Sequence, residues 1–330
     1  MKIGYALSSE QFSPSELLDQ ARRARDAGFE ALSISDHFHP WNDEQGNSPF
    51  VWSMIGALSQ TTPELALSTM VTCPIVRINP VILAQAAATS ALLLNGSFVF
   101  GVGTGENLNE HVWGAPWPPI RERVERLREA IELMRLLWSG DNVDFEGVYY
   151  KAVNARLYSL PDKPPPVFVS AFGTLATDLA AEVGDGFVTF TPELLLRYRE
   201  GGGRGSAQTA VKVCFDADED RAKEMIHRLW RMELNPGQLN QELAVPRHIE
   251  SASTLVTPEM TSKAFPCGPD PERHVAALQQ RIDDGFDEIY VQQVGADMEG
   301  FFDLYSLKVL PQLKEGHAKA KRDADTYVST

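Results

Sequence analysis

A chain of 330 residues with 43% hydrophobic and 23% charged residues has material for two average domains or one large α/β barrel, which excludes global disorder. A net charge of −15 argues against a phosphate-backbone or anionic-lipid surface, so any anionic ligand must meet a local, donor-rich site. Three cysteines far apart, Cys73, Cys214 and Cys267, are expected as buried thiols in a reducing cytoplasm, and neither a bilayer-length apolar run nor an export signal in "MKIGYALSSEQF" argues otherwise.

In chain order, "KIGYAL" (2–7) reads as a short strand, and "SPSELLDQARRARDAG" (13–28) as an amphipathic helix with a Ser13/Glu16 capping box, Pro14 at its first position and a closing glycine. The same beat continues through strand 29–35 and helix 48–62, strand 65–72 and helix 80–94, then strand 97–103 and the long helix 121–140. A hairpin is expected around "DNVDFEGVYY" (141–150). Strand 166–171 with helix 175–184, strand 186–190, strand 210–215 with helix 218–230, and strand 288–294 with helix 298–313 bring the count to eight strands.

Near-continuous apolar strands alternating with amphipathic helices predict a parallel sheet covered on its outside, and eight units favour a closed (β/α)8 TIM barrel. No strand leads into Gly-x-Gly-x-x-Gly; the nearest approach, "GVGTGENLN" (101–109), spaces its glycines differently. One domain is expected over 1–314, with insertions at about 104–120, 191–209 and 231–269 on the C-terminal face, followed by a polar, flexible tail at 315–330. Among minor features, "RERVERLRE" (121–129) reads as a solvated helix face, "WGAPW" (113–117) as an insertion anchor or lid, and "EGGGRGS" (200–206) as a flexible connection or lid.

The stretch "SISDHFHPW" (33–41) directly follows the second strand, where a barrel points side chains into its site, so Asp36, His37 and His39 stand at the catalytic end. His-x-His could supply two metal ligands, but His111, His227, His248, His274 and His317 fall in helices, insertions or the tail, and no metal is expected. A satisfied polar turn is the plainer alternative. Against it, other strand ends deliver Glu106 and Asn109 in "GTGENLN" and the segment "MVTCP", while "DHFHPW" adds Trp41, a set that reads as a cofactor pocket with an acid–base pair.

"SDHFHPW", "RINP", "GVGTGENLNE", "LMRLLWSGDNVDFEGVYY" and "AEVGDGF" together resemble the landmarks of the bacterial luciferase-like superfamily and, more narrowly, of the coenzyme F420-dependent glucose-6-phosphate dehydrogenases. The likeness runs from residue 1 to about 190 and returns at "CGPDPERHVAALQQRIDDGFDEIYV". It implies that His37 is the base for a substrate hydroxyl, that Trp41 lines the substrate pocket, and that Glu106 is the proton partner of the deazaflavin ring. An imidazole suits such a base because its unperturbed pKa is about 6.5.

The resemblance further implies cofactor contacts at Asp36, Asn109 and the bulge Met70, Val71 and Cys73, with a non-proline cis peptide at Met70–Val71. At Ala171, Phe172, Gly173 and Thr174 a Gly-Gly pair of relatives reads Phe172-Gly173, leaving Gly173 and the Thr174 amide for the cofactor phosphate. The basic cluster that holds a sugar phosphate in relatives is not matched; Lys263 and Arg273 are the remaining candidates, with His39 tuning the pocket. The expected activity is therefore a coenzyme F420-dependent dehydrogenase acting on the CH–OH group of an alcohol or sugar, in either direction. The alternative is an FMN-dependent luciferase-like monooxygenase. A small-molecule substrate, a homodimer, and no nucleic-acid or membrane partner complete the expectation.

Overall fold

The structure, a computed structural model, describes residues 1–315. The expected tail at 315–330 lies, apart from its first residue, outside the described residues.

Eight parallel strands close into a barrel: β1 (Lys2–Leu7), β2 (Ala31–Ile34), β3 (Ala66–Thr69), β4 (Phe98–Val102), β7 (Val167–Ser170), β8 (Gly186–Val188), β9 (Ala207–Val213) and β10 (Glu288–Gln293). They neighbour one another in that order, and β10 pairs back onto β1 with Lys2 opposite Glu288. Between β4 and β7 the expected hairpin forms as antiparallel β5 (Val143–Glu146) and β6 (Lys151–Ala155). β8 is shorter than the apolar run 186–190 suggested; just past it Thr189 donates its N–H to the Gln208 carbonyl at 3.1 Å and its hydroxyl to the Ala171 carbonyl at 3.0 Å.

The outer ring begins with α1 (Pro14–Ala27), where the Glu16 carboxylate accepts from the Ser13 N–H at 2.8 Å, as the capping box required. It continues through α2 (Val51–Thr61), α3 (Pro80–Leu93), α5 (Ile120–Leu137), α6 (Thr174–Val183), α7 (Pro192–Glu200), α8 (Glu219–Trp230), α12 (Pro271–Asp283) and α13 (Met298–Leu304), which passes through a π-helical stretch at Tyr305–Val309. The expected insertion at 191–209 is a correction: it holds α7, the ordinary outer helix between β8 and β9, and its end is the start of β9 itself.

The stretches 104–120 and 231–269 do leave the barrel pattern. The first carries α4 (Asn107–Glu110), and the second carries α9 (Leu239–Glu242), α10 (Pro246–Ala252) and α11 (Pro258–Ala264). Their apolar side chains form a second core: Leu108, Met232 and Ile249 pack with Trp41, Ile226 and Trp230, apart from the main core between strands and helices.

The opposite end of the barrel is filled. A Cβ at Gly4 would stand 2.5 Å from the Tyr290 ring, and one at Gly186 would stand 2.4 Å from the Phe168 ring. Both glycines make room for these rings, which helps fill that part of the barrel.

Candidate active site

A cavity of about 480 Å³ opens at the C-terminal ends of the strands, large enough for a cofactor-sized ligand. Its wall contains Asp36, His37, Trp41, Met70, Val71, Cys73, Glu106, Asn109, Phe172, Gly173 and Thr174, all singled out in the sequence. The Met70–Val71 peptide is cis.

His37 is the hub. Its Nε2 lies 3.4 Å from Glu10 Oε1 and 3.5 Å from Glu106 Oε2, while Nδ1 lies 3.1 Å from both the His39 carbonyl and the Asn109 amide nitrogen. Each protonation state of Nδ1 therefore has a partner: protonated, it donates to the His39 carbonyl, and unprotonated, it accepts from the Asn109 Nδ2–H. Asn109 is fixed in turn, its Oδ1 accepting the Phe38 and His39 N–H groups at 2.9 and 3.2 Å and its Nδ2 donating to Glu106 at 3.0 Å. The indole of Trp41 leans on the imidazole with ring centres 5.0 Å apart.

Glu10 was missed in the sequence. It sits just past β1, almost fully buried, and its Oε2 accepts from the Ser8 and Ser35 hydroxyls at 2.9 and 2.8 Å, leaving Oε1 to face His37. The signal was present, an acid at the C-terminal end of the first strand. Burial raises the Glu106 carboxyl above its usual range, against the opposing pull of His37, so Glu106 is suited to carry a proton.

A second layer holds this hub in place. Asp36 accepts from Thr72 Oγ1 at 2.9 Å and from Arg77 Nη2 at 2.7 Å, and Glu110 accepts the Arg77 backbone N–H at 2.6 Å. Glu110 is pushed up to about 7, chiefly by burial. Gly105, at φ +74°, lets the β4 loop pass Cys73; a Cβ there would stand 2.4 Å from the sulfur.

Four sequence candidates are placed elsewhere, as corrections. The buried Ala171 turns its backbone to β8 and does not line the cavity, and His39 directs Nδ1 to the Leu108 carbonyl at 2.9 Å, behind the wall. Lys263 is exposed on α11, and Arg273 on α12 is held by Glu219 at 2.7 Å; neither reaches the cavity. Lys263 lies within the insertion itself, on the solvent side of α11, and Arg273 is held away by its pair with Glu219.

The cations that do line the cavity are Lys212 and Arg123. Lys212 is paired with Glu233 at 2.6 Å and stands 4.5 Å from the centre of a Trp230 ring. Arg123 is buried, which corrects the reading of 121–129 as a solvated face. Its position in the stripe Ile120–Val124–Leu127–Ile131 was the available signal.

The donor set fits a deazaflavin. Gly173 has φ −163°, which any residue adopts, and nothing lies within 4 Å of a Cβ built there, so its missing side chain leaves room for a ligand at the start of α6. Among the described residues no group of three or more metal-ligating side chains converges, and no helix is long and apolar enough to cross a membrane.

The luciferase-like monooxygenase family model matches residues 1–288. A coenzyme F420-dependent glucose-6-phosphate dehydrogenase from Amycolatopsis mediterranei is 34% identical, covering 95% of this chain and 99% of its own. The corresponding enzyme of Intrasporangium calvum is 36% identical over 95% and 99%. Among solved structures, an F420-dependent secondary alcohol dehydrogenase in complex with an F420–acetone adduct superposes with a TM-score of 0.88 at 30% identity, covering 94% of this chain and 98% of its own. The chain belongs to the luciferase-like family and, within it, to the branch of the F420-dependent glucose-6-phosphate dehydrogenases.

Proposed function

We propose that this protein is a coenzyme F420-dependent dehydrogenase that moves a hydride between the carbinol carbon of an uncharged alcohol and the deazaflavin. The observation that carries the reading is His37 Nε2 flanked by Glu10 and Glu106 at the strand ends of a cofactor-sized cavity. Bound in that cavity, the deazaflavin supplies the two-electron acceptor or donor.

The residues handle the protons. As the alcohol carbon gives up a hydride, its hydroxyl proton passes to His37 Nε2, with Nδ1–H held on the His39 carbonyl. Glu10 then faces the imidazolium that forms and stabilises its charge. Glu106 holds a proton at the cofactor side of His37 and Asn109 fixes its direction. Trp41, packed against the imidazole, bounds the space left to the substrate. Met70, Val71 and Cys73 line the same cavity and would support the ring, and Gly173 with Thr174 would receive the phosphate end.

An uncharged substrate is favoured because both cations of the cavity wall are already paired, Lys212 with Glu233 and Arg123 with Glu242, while Lys263 and Arg273 stand outside. Fluorescence titration with oxidised F420 and with FMN tests the cofactor, and a screen of alcohols beside their phosphate esters tests the substrate. The expected outcome is tight binding of F420 and turnover of the uncharged alcohols. A preference for glucose 6-phosphate over neutral alcohols would overturn the substrate class, and a preference for FMN would overturn the cofactor.

Two coarser features belong to the same proposal. The three free, buried thiols support a cytoplasmic location. Exposed Ile82, Leu92 and Leu93 on α3, beside Leu136 on α5, support a homodimer, which light scattering tests directly.

A further inference from the structure

Side chains that point into a small barrel fill it, and a polar one among them normally finds a partner. Two on the wall of the cavity do not. Ser33 is 1% exposed and Gln292 7%, yet Ser33 Oγ and Gln292 Nε2 have no hydrogen-bond partner among the described residues. A buried polar atom left unpaired costs stability, so two of them side by side on a binding cavity point to a ligand group that completes both.

The strand ladder sets them on one row. Ser33 of β2 is opposite Ala6 of β1, and the pairing of Gly4 with Tyr290 and Tyr5 with Val291 carries Ala6 to Gln292 of β10. Gln292 is in turn opposite Lys212 of β9. All four line the cavity, so four adjacent strands present a hydroxyl, a methyl, an amide and an ammonium in sequence. Neighbouring strands lie about 4.8 Å apart, which leaves the backbones of Ser33 and Gln292 about 10 Å apart with only the Ala6 methyl between them. Each polar end reaches the space above that methyl by rotation about its own side-chain bonds.

The row lies one layer beneath the proton machinery. Ser35, two residues and about 6.6 Å further along the chain than Ser33, donates to Glu10 Oε2 at 2.8 Å, and Glu10 Oε1 is 3.4 Å from His37 Nε2. A molecule whose carbinol oxygen meets His37 therefore has this row under its remaining atoms. Lys212 adds no net charge there, being paired with Glu233 at 2.6 Å.

We propose that Ser33 and Gln292 form a second substrate subsite, which binds a hydroxyl group other than the one oxidised and selects diols and polyols over alcohols with a single hydroxyl. The subsite rests on the dehydrogenase reading above and narrows its substrate. A hydroxyl fits because it can donate to Ser33 Oγ and accept from Gln292 Nε2 at once. A methylene in the same place would seal both atoms away from water unpaired, and a site built to bond a hydroxyl rejects the analogue that lacks it.

The test compares butane-2,3-diol, pentane-2,4-diol and hexane-2,5-diol, each beside the 2-alcohol of the same chain length, so that the second hydroxyl steps outward one carbon at a time. With F420 as acceptor, wild type is expected to show kcat/KM at least about tenfold higher for one of the diols than for its parent alcohol. In Ser33→Ala and in Gln292→Leu that preference should fall to about twofold or less, with kcat/KM for the parent alcohols and the Kd for F420 unchanged within about threefold. Equal use of diols and parent alcohols by wild type overturns the subsite and leaves the dehydrogenase reading intact. A tenfold rise in the F420 Kd of either variant would make the row a cofactor contact and overturn the subsite too.

Melting of the apoprotein gives a readout without turnover. Each variant removes an unpaired buried polar atom, so both should melt no lower than wild type, and the preferred diol should raise the melting temperature of wild type more than that of either variant. Variants that melt lower and lose activity on every alcohol alike would assign both residues a structural role, against the proposal. If no alcohol is turned over with F420, the dehydrogenase reading fails, and the melting shifts alone decide the subsite: equal shifts in wild type and variants overturn it.

Discussion

His37 owes its role to having a partner on every side. With Nδ1 able to donate to one carbonyl or accept from one amide, the ring can take or release a proton at Nε2 without turning. Removing the imidazole should therefore affect the chemical step and spare cofactor binding. His37→Ala is expected to lower kcat by about 10²- to 10⁴-fold while the Kd for F420 changes by less than about threefold. A variant that keeps wild-type turnover would show that the hydroxyl proton leaves by another route. At the next remove stands Glu110, whose carboxyl is pushed up to about 7 by burial. The folded apoprotein keeps a proton there that the unfolded chain releases from about 4.5 upward. That contribution to stability is complete below about pH 4.5 and is lost as the pH rises to about 7. Glu110→Gln cannot lose it, so the melting temperature of the variant relative to wild type should climb by a few degrees between pH 5 and pH 8. A difference flat with pH would mean that Glu110 is ionised throughout, stabilised by Arg77.

Elements decide which of these residues meet. Each barrel strand delivers its last residues to one mouth, so Glu10, His37, Val71 and Glu106, spread over a hundred positions of sequence, share one cavity. This much was legible, because apolar strands alternating with amphipathic helices leave few topologies and the strand ends are then assigned without further information. The insertion was not legible. Whether Lys263 or Lys212 reaches the substrate depends on how 231–269 folds back over the mouth, and no periodicity encodes that path. Lys212 left one local trace, a cation inside the otherwise apolar run "AVKVCF". Arg123 left another, a charge on the buried stripe of α5, which the neighbouring arginines disguised. Glu233, brought in by the same insertion, sets the charge of the substrate pocket. Glu233→Gln would leave Lys212 as a free cation beside Trp230. Relative to the neutral parent alcohol, the KM of a carboxylate- or phosphate-bearing alcohol should then fall by about tenfold. No change in that ratio would place the pair outside the substrate's reach.

The whole molecule divides its apolar side chains between two cores, and the division has consequences for stability. The main core joins strands to the outer helices, whereas the mouth core joins α8 and the insertion to Trp41 and Leu108. Trp230 belongs to the second core and to the cavity wall at once, so the packing of the insertion and the shape of the substrate space are coupled. Ile249 tests this coupling from a distance, since it is fully buried in the mouth core and does not line the cavity. Truncating such a side chain costs about 2 to 5 kcal/mol. In Ile249→Ala the loss should stay local. Hydrogen exchange is expected to speed up for amides across 231–264 while the strands of the barrel keep their protection, and the KM for alcohol should rise with the Kd for F420 unchanged. Uniform loss of protection across the strands would instead make barrel and mouth a single cooperative unit. The insertion would then be part of what folds the enzyme, and its freedom to vary with substrate would be limited by the stability of the barrel itself.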